Sequence, residues 1–585
     1  MSMRHSFAVG ALAAATIAGS ADAQIFQRHV GTEDDERIFD AAPTRDGGYI
    51  TAGFRARTNI GPQFLITRYH SSGSVFWQRE FGGDGVDIAY SVQQTEDGGF
   101  IVAGESTSFS PPTIGSPLEI VLLRLDASGN QIWANAYTGS FGDDPLHRPL
   151  PGVALDQGPN GRIFVVGSLR NAALAMAVGP NGAPIWQRVY FDPTGPTGLP
   201  GSLINFTDIV FDDGVAFPGG PVVEPSLLIS GSRFRNRQGD APFPGLNDFP
   251  FPPPIPPGPT TGDFDAALVR LNLGGDPIFA FGYDFGFGPP SPDNRATNEF
   301  GHGLDLSDFN TIVLGGDSDL GPQFPAGQTG THTIEMNAIG TPFASRNSIG
   351  FASSPPVTDT NISMAYAALK YDEMRQAIVY AGTAELLGGI TGGRLTDNAL
   401  LHQMDLGSLS DRAMASYGDL SFISTGQTVV PNRACGYLLG GDIAGEMPPI
   451  FGRRDDYLVK TDSLLRSGCL EIRFDPFGFD EVRQFQYDLA SPFLDGIVQL
   501  PDLVERVDFR NDPFCFDFRC DGNPFPCSPA DLAPPFGVIS NADVTAFVNG
   551  FFGGDPRVAL LAFPHDIISQ ADVDRFVVLF FQGCP

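Results

Sequence analysis

The run Asp46-Gly47-Gly48-Tyr49-Ile50-Thr51-Ala52-Gly53 returns as Asp97-Gly98-Gly99-Phe100-Ile101-Val102-Ala103-Gly104. A turn, a short apolar stretch and a closing glycine recur. A chain that repeats one supersecondary unit is confined to stacked or ring architectures. Each copy is followed by a second apolar stretch and then tryptophan: Phe64–Tyr69 leads to Trp77, and Val121–Asp126 leads to Trp133. A third copy, Arg162–Gly167, leads to Trp186, so the three tryptophans of the chain share one repeat position.

Weaker copies extend the series. The apolar stretch closed by glycine recurs at Leu227–Gly231, Thr311–Gly315, Ala377–Gly382 and Gly436–Gly440. The following stretch recurs at Ala267–Leu271, His332–Met336, Ala399–Asp405 and Tyr457–Asp462, which makes seven units. Short runs rich in Val, Ile, Leu and aromatics between Gly and Asp turns are strands, and no sustained helical period interrupts them. Several strands per unit, at a spacing of roughly 50 to 85 residues, predict a mainly β chain with a seven-bladed β-propeller over residues 24–469. The glycines and tryptophans of the repeat are read as structural, with Trp packed between blades.

The ends of the array carry their own expectation. Ile25-Phe26-Gln27-Arg28 aligns with Phe76-Trp77-Gln78-Arg79, the outermost strand of a complete unit, whereas the seventh unit stops at Ser467-Gly468-Cys469 without one. The N-terminal strand is therefore expected to complete the last blade and close the ring, removing two exposed edges.

Residues 1–23 combine Arg4, the apolar run Phe7–Gly19 and Ala21-Asp22-Ala23, the order of a secretory signal peptide; export to the cell surface or beyond is expected. No later segment offers about 18 uncharged apolar residues for a membrane span. Acids outnumber bases by 67 to 35, a formal charge of -32 that repels phosphate backbones and argues against nucleic acid. The two lysines, Lys370 and Lys460, are read as a compositional trait and not as a site. The six cysteines, Cys435, Cys469, Cys515, Cys520, Cys527 and Cys584, are an even number in an exported chain; disulfides are expected, and the sequence leaves fifteen pairings open.

The C-terminus holds a second duplication. Residues 530–552 and 559–581 align so that Ile539-Ser540 matches Ile568-Ser569, Ala542-Asp543-Val544 matches Ala571-Asp572-Val573, and Phe547-Val548 matches Phe576-Val577. Each copy reads as a turn-rich loop, an N-cap residue and a short amphipathic helix. With the terminal Gly583-Cys584-Pro585, this pair resembles a dockerin, a small α-helical module of two loop-helix units that anchors secreted proteins. The resemblance implies a module over 527–585, a cohesin-like or cell-surface partner, and EF-hand-like calcium loops with Asp531, Asp543, Asp566 and Asp572 as ligands. Ala533, Pro535 and Leu560 stand at positions the pattern makes acidic, and two carboxylates per loop are few for an ion that takes six to eight oxygens. Helix capping is the simpler role for Asp543 and Asp572. A Cys527–Cys584 bridge is the favoured staple, stabilising by roughly 4 kcal/mol on the chain-entropy model. Residues 470–526 read as a linker or small disulfide-tied region.

No catalytic constellation emerges. The eight histidines have no metal-ligand spacing, and neither G-x-S-x-G nor a P-loop occurs, so no catalytic residue and no cofactor is expected beyond calcium in the tail. The expected function is an exported, non-catalytic propeller that binds a protein or polysaccharide and is tethered by its tail. The alternative is a propeller hydrolase or lyase acting on polysaccharide. Aromatics, Arg and perturbed carboxylates at the channel mouth would favour the enzyme.

Overall fold

The structure is a computed structural model. It describes the strands and tight turns between residues 24 and 467, short strands between 471 and 519, and residues 544, 545, 547 and 548. Residues 1–23, the long inter-strand connections and most of 520–585 lie outside the described set.

Seven antiparallel four-stranded blades follow one another along the chain, the sheets of blades 5 and 6 being joined into one larger sheet where Pro342–Ala352 pairs with Thr360–Asp372. Their innermost strands are Asp35–Pro43, Asp87–Gln94, Pro149–Gln157, Ile204–Asp212, Glu299–Leu306, Thr360–Asp372 and Ile423–Pro431. Each packs against the next, and the last returns to the first, so the ring is closed. The outermost strand of blade 7 is Gln24–Gly31, which pairs with Arg454–Lys460 as the sequence predicts, Phe26 facing Lys460 and Val30 facing Asp456.

Seven apolar clusters fill the seven seams between blades. The first joins Ile50, Ile66 and Trp77 to Val102 and Leu123 across blades 1 and 2. The last joins Phe26, Leu438 and Leu458 to Ile38 and Tyr49 across blades 7 and 1. A blade is thus buried on both faces, which explains why Glu119–Leu125 is buried along its whole length and why these strands read as continuous apolar runs instead of alternating ones.

The repeat tryptophans clamp successive blades. The Trp77 indole N–H donates to the Ala127 carbonyl at 3.3 Å, Trp133 to Pro180 at 3.2 Å and Trp186 to Leu273 at 2.9 Å. Each ring lies under a turn glycine of the next blade; a side chain at Gly129 would meet Trp77 at 3.1 Å. Tyrosines four residues further on act in parallel, with Tyr137 donating to Gly182 at 2.7 Å, Tyr190 to Gly275 at 2.7 Å, Tyr283 to Gly340 at 2.8 Å and Tyr417 to Leu465 at 2.7 Å. The tyrosine clamp continues into blades 4 and 6, where the tryptophan has been lost.

The closing glycine of each unit answers a bulge. Every innermost strand skips register once, at Ile38/Asp40 in blade 1 and at Gly426/Thr428 in blade 7. The bulge pushes a carbonyl toward the second strand, and a Cβ at Gly53 would collide with the Arg37 carbonyl. In blades 5 and 7 the residue at this position is Gly316 and Gly441, one beyond the glycine suggested by the sequence.

Beyond the propeller the chain turns back around the rim. Glu471–Arg473 pairs with the outermost strand of blade 6, Asp475–Phe479 with blade 5, Arg483–Gln486 with blade 4 and Val498–Gln499 with blade 2. Arg510–Pro513 and Phe518–Arg519 then pair with Gln24–Gly31 itself. The expected linker therefore includes strands that cover blade edges, which would otherwise template association. These strands are too short for any alternation to be read from sequence.

Candidate functional site

An innermost strand leaves one row of backbone groups facing the channel, and these need partners. Side chains of the preceding blade supply them at six of the seven seams. The N–H of Val92 donates to Asp40 at 2.9 Å, Leu155 to Ser91 at 3.4 Å, Phe211 to Asp156 at 2.6 Å, Leu304 to Asp208 at 3.1 Å, Tyr371 to Asp305 at 2.8 Å and Ala41 to Thr428 at 3.3 Å. Each of the four aspartates also accepts the N–H of its own successor, as Ala41 shows at 2.8 Å.

The seam from blade 6 to blade 7 differs on both sides. Lys370 occupies the position of Asp156 and Asp305, and lysine has no acceptor. Opposite it, Pro431 occupies the position of Tyr371 and has no N–H to satisfy. Lys370 is freed to serve the whole ring. Burial disfavours its charge, but Asp208, Asp305, Asp40 and Asp156 outweigh burial and hold the ammonium above the ordinary lysine value. Burial in turn raises all four carboxyls, Asp208 to about 6, while Lys370 and the backbone N–H groups oppose it. Lys370 is thus a site residue that composition concealed. Lys460 has a local role, donating to the Ser71 carbonyl at 2.9 Å.

The two ends of the channel are unlike. At one end the connections are tight turns closed by glycines such as Gly47, Gly73, Gly98 and Gly129. While the connection 213–225 of blade 4 joins strand ends on the turn side, the strand ends joined by the connections 191–203, 237–261 and 285–298 lie at the other end. On that side the bulges present one residue per blade, namely Phe39, Tyr90, Gly152, Thr207, His302, Ala367 and Gln427, all half-buried.

This ring is chemically polarised. On blades 1 and 2, Phe39 lies 5.9 Å from Phe54 and 5.0 Å from Tyr90, and the Arg37 guanidinium stands 5.8 Å from the Phe54 ring. On blade 5, His302 lies 3.2 Å from Asp317 and is stacked at 6.4 Å on Phe300, which meets Phe264 of blade 4 at 5.2 Å. Behind His302, Asp317 accepts the Tyr366 N–H at 2.5 Å. The Tyr366 hydroxyl shares a hydrogen bond with His402 Nδ1, and His402 Nε2 lies 2.7 Å from Asp411, which also pairs with Arg346. Burial opposes ionisation of Asp411, but His402 and Arg346 hold its carboxyl below the usual range. With His402 and Tyr366 buried, this relay is internal bracing between blades 5 and 6.

The closing seam carries a buried acid. Glu36 is 1% exposed, and burial together with the Asp455 charge pushes its carboxyl up to about 7 despite its bond to Thr32 and the Arg55 guanidinium at 3.5 Å. Because the folded value exceeds the unfolded one, this group's stabilisation is complete below about pH 4.5 and is lost as pH rises toward 7. Glu36→Gln is expected to flatten that decline and to gain up to about 3 kcal/mol at pH 8. Urea midpoints of both proteins between pH 4.5 and 8 check it, and parallel pH profiles would refute it.

The calcium candidates Asp531, Asp543, Asp566 and Asp572 and all six cysteines lie outside the described residues. Among the described residues no group of His, Cys, Asp or Glu is arranged to hold a metal ion, and no helix is long and apolar enough to cross a membrane.

No family model and no curated protein matches this sequence. Among solved structures, the Dos1 propeller is similar at 8% identity with a TM-score of 0.37, over 75% of this chain and 95% of that one. The polysaccharide lyase Uly1 is similar at 10% identity with a TM-score of 0.40, over 73% and 90%. Drosophila Plexin A in complex with Semaphorin 1b gives 7% identity and a TM-score of 0.33, over 75% and 87%. At these scores the likenesses carry no functional argument, and the seven-bladed assignment rests on strand order and ring closure.

Proposed function

We propose that this chain is an exported propeller that binds a carbohydrate polymer across the loop-bearing mouth of its channel, and that residues 527–585 tether it to a cell surface or an extracellular complex. The observation that carries this reading is the concentration of half-buried aromatics, Phe39, Phe54, Tyr90 and Phe300, around the channel strands of blades 1, 2 and 5. Half-buried aromatic rings on a rigid ring of strands offer apolar surface at low entropic cost. The channel aspartates Asp40, Asp156, Asp208 and Asp305 are each committed to backbone N–H groups of two strands, so they serve the ring and are not placed as an acid and base pair.

Binding is tested with a glycan array on the full chain, followed by titration of the ligands found. Tyr90→Ala is expected to weaken binding about tenfold, equivalent to about 1.4 kcal/mol, measured well below the melting transition of the variant, since Tyr90 also packs against the apolar cluster between blades 2 and 3. Unaltered affinity would move the site away from the mouth. The hydrolase or lyase reading is favoured by one observation, the half-buried His302 paired with Asp317 at 3.2 Å. Ligand that is shortened on incubation with the wild type and left intact by His302→Ala would establish it.

A further inference from the structure

We infer that Arg37 is the receptor for an anionic group, a carboxylate or a sulfate ester, carried on the sugar bound at the channel mouth; this rests on the carbohydrate reading above.

Blade 1 brings three arginines to its loop-bearing end from two adjacent strands, Asp35–Pro43 and Tyr49–Arg57. Two of them are occupied. Arg55 reaches Asp34 at 2.8 Å, Glu36 at 3.5 Å and Glu80 at 3.5 Å, and Arg57 reaches Glu80 at 2.7 Å. Arg37 makes no hydrogen bond and no ion pair among the described residues, and its Nε is buried without a partner. Its recorded contact is the Phe54 ring at 5.8 Å.

Shortage of acids does not explain this, since the chain carries 67 of them against 35 Lys and Arg. A buried donor left without an acceptor costs about 1 to 3 kcal/mol, and Arg37 Nε carries that penalty while the neighbouring Arg55 and Arg57 are ion-paired. A planar anion with two oxygens matches the fork formed by the two terminal nitrogens of Arg37, which have no ion-pair partner among the described residues. The surroundings define what carries that anion. Arg37 and Phe39 both lie against Phe54, which is paired opposite Arg37, and Tyr90 closes the group from blade 2. Glu105, which acts on Tyr90, has its carboxyl pushed well above the ordinary carboxylate value by burial, against a backbone hydrogen bond from Gly152. A cation beside contiguous apolar rings suits a ring-shaped ligand with an apolar face and an acidic substituent. The net charge of -32 opposes any anion from a distance, but at about 0.15 M ionic strength the screening length of about 8 Å confines that repulsion to near neighbours.

The experiment is calorimetric titration of the full chain with oligogalacturonate, with its methyl ester and with a sulfated galactan oligosaccharide, at 0.15 M salt. One acidic probe is expected to bind at least tenfold tighter than the ester, and which one does so identifies the anion. Arg37→Gln is expected to bring that probe down to the ester's affinity, leave ester binding unchanged, and melt at or above the wild-type temperature because an unpaired buried donor has gone. Arg37→Lys should fall between, keeping the charge without the fork. An ester that binds as tightly as the acids, or an acid preference that survives Arg37→Gln, overturns the inference and leaves the carbohydrate reading standing. If no acidic or neutral glycan binds at all, both are overturned.

Discussion

Deletion of residues 24–31 is expected to abolish the cooperative unfolding transition of the entire propeller. The segment pairs with Arg454–Lys460 on one side and with Arg510–Pro513 on the other, so its loss opens two ladders. Ile25, Phe26 and Val30 are wholly buried, and Gln27 joins Ser467 at 2.7 Å and the Tyr457 hydroxyl at 2.6 Å. Without them the apolar cluster between blades 7 and 1 loses Phe26 and Val30, and blade 7 is left with three strands to hold the closing seam. The tryptophans provide a remote readout, because Trp77, Trp133 and Trp186 lie in blades 1 to 3 and not in the damaged blade. Circular dichroism and tryptophan fluorescence during a urea titration should lose their shared sigmoid together. An unchanged midpoint by either probe would show that the ring does not depend on this closure.

The second large effect is expected at the channel floor, where Lys370→Met should destabilise the protein by about 2 to 4 kcal/mol. Removing one partner of a buried charge set costs about 3 to 5 kcal/mol in general, and the half-buried channel groups keep an accessible face on water, which reduces the figure. The pH dependence identifies the cause. Burial places the folded values of Asp40, Asp156, Asp208 and Asp305 above the ordinary value, and loss of Lys370 would raise them further. Carboxyls with raised folded values lose their stabilisation as pH rises through those values. The deficit of the variant should therefore be larger at pH 8 than at pH 5, where Asp208, near 6, is mostly protonated. Lys370→Met with Asp208→Asn should recover part of the loss at pH 8. A deficit equal at both pH values would assign Lys370 to packing alone.

Much of the fold was legible because its signals are local. Gly53, Gly104, Gly231 and Gly382 mark the bulge contact directly, and where two glycines are adjacent, as at 315–316 and 440–441, register alone decides which one meets it. The tyrosine clamps were open to discovery, since Tyr137 and Tyr190 stand four residues beyond Trp133 and Trp186. The rim strands were not, because pairs such as Val498–Gln499 are too short to show a pattern.

The sequence by itself determined the repeat unit, the number of blades and the strand that closes the ring, since strand length, turn glycines and apolar spacing are properties of contiguous residues. Only the tertiary structure decided the candidate sites. Lys370 and its four aspartates, the bulge ring and the unpaired Arg37 come from different blades or different strands, and each unit contributes a different residue at the same position. No motif repeats there for a sequence to display. The chemistry of each ring exists only once the seventh blade has met the first.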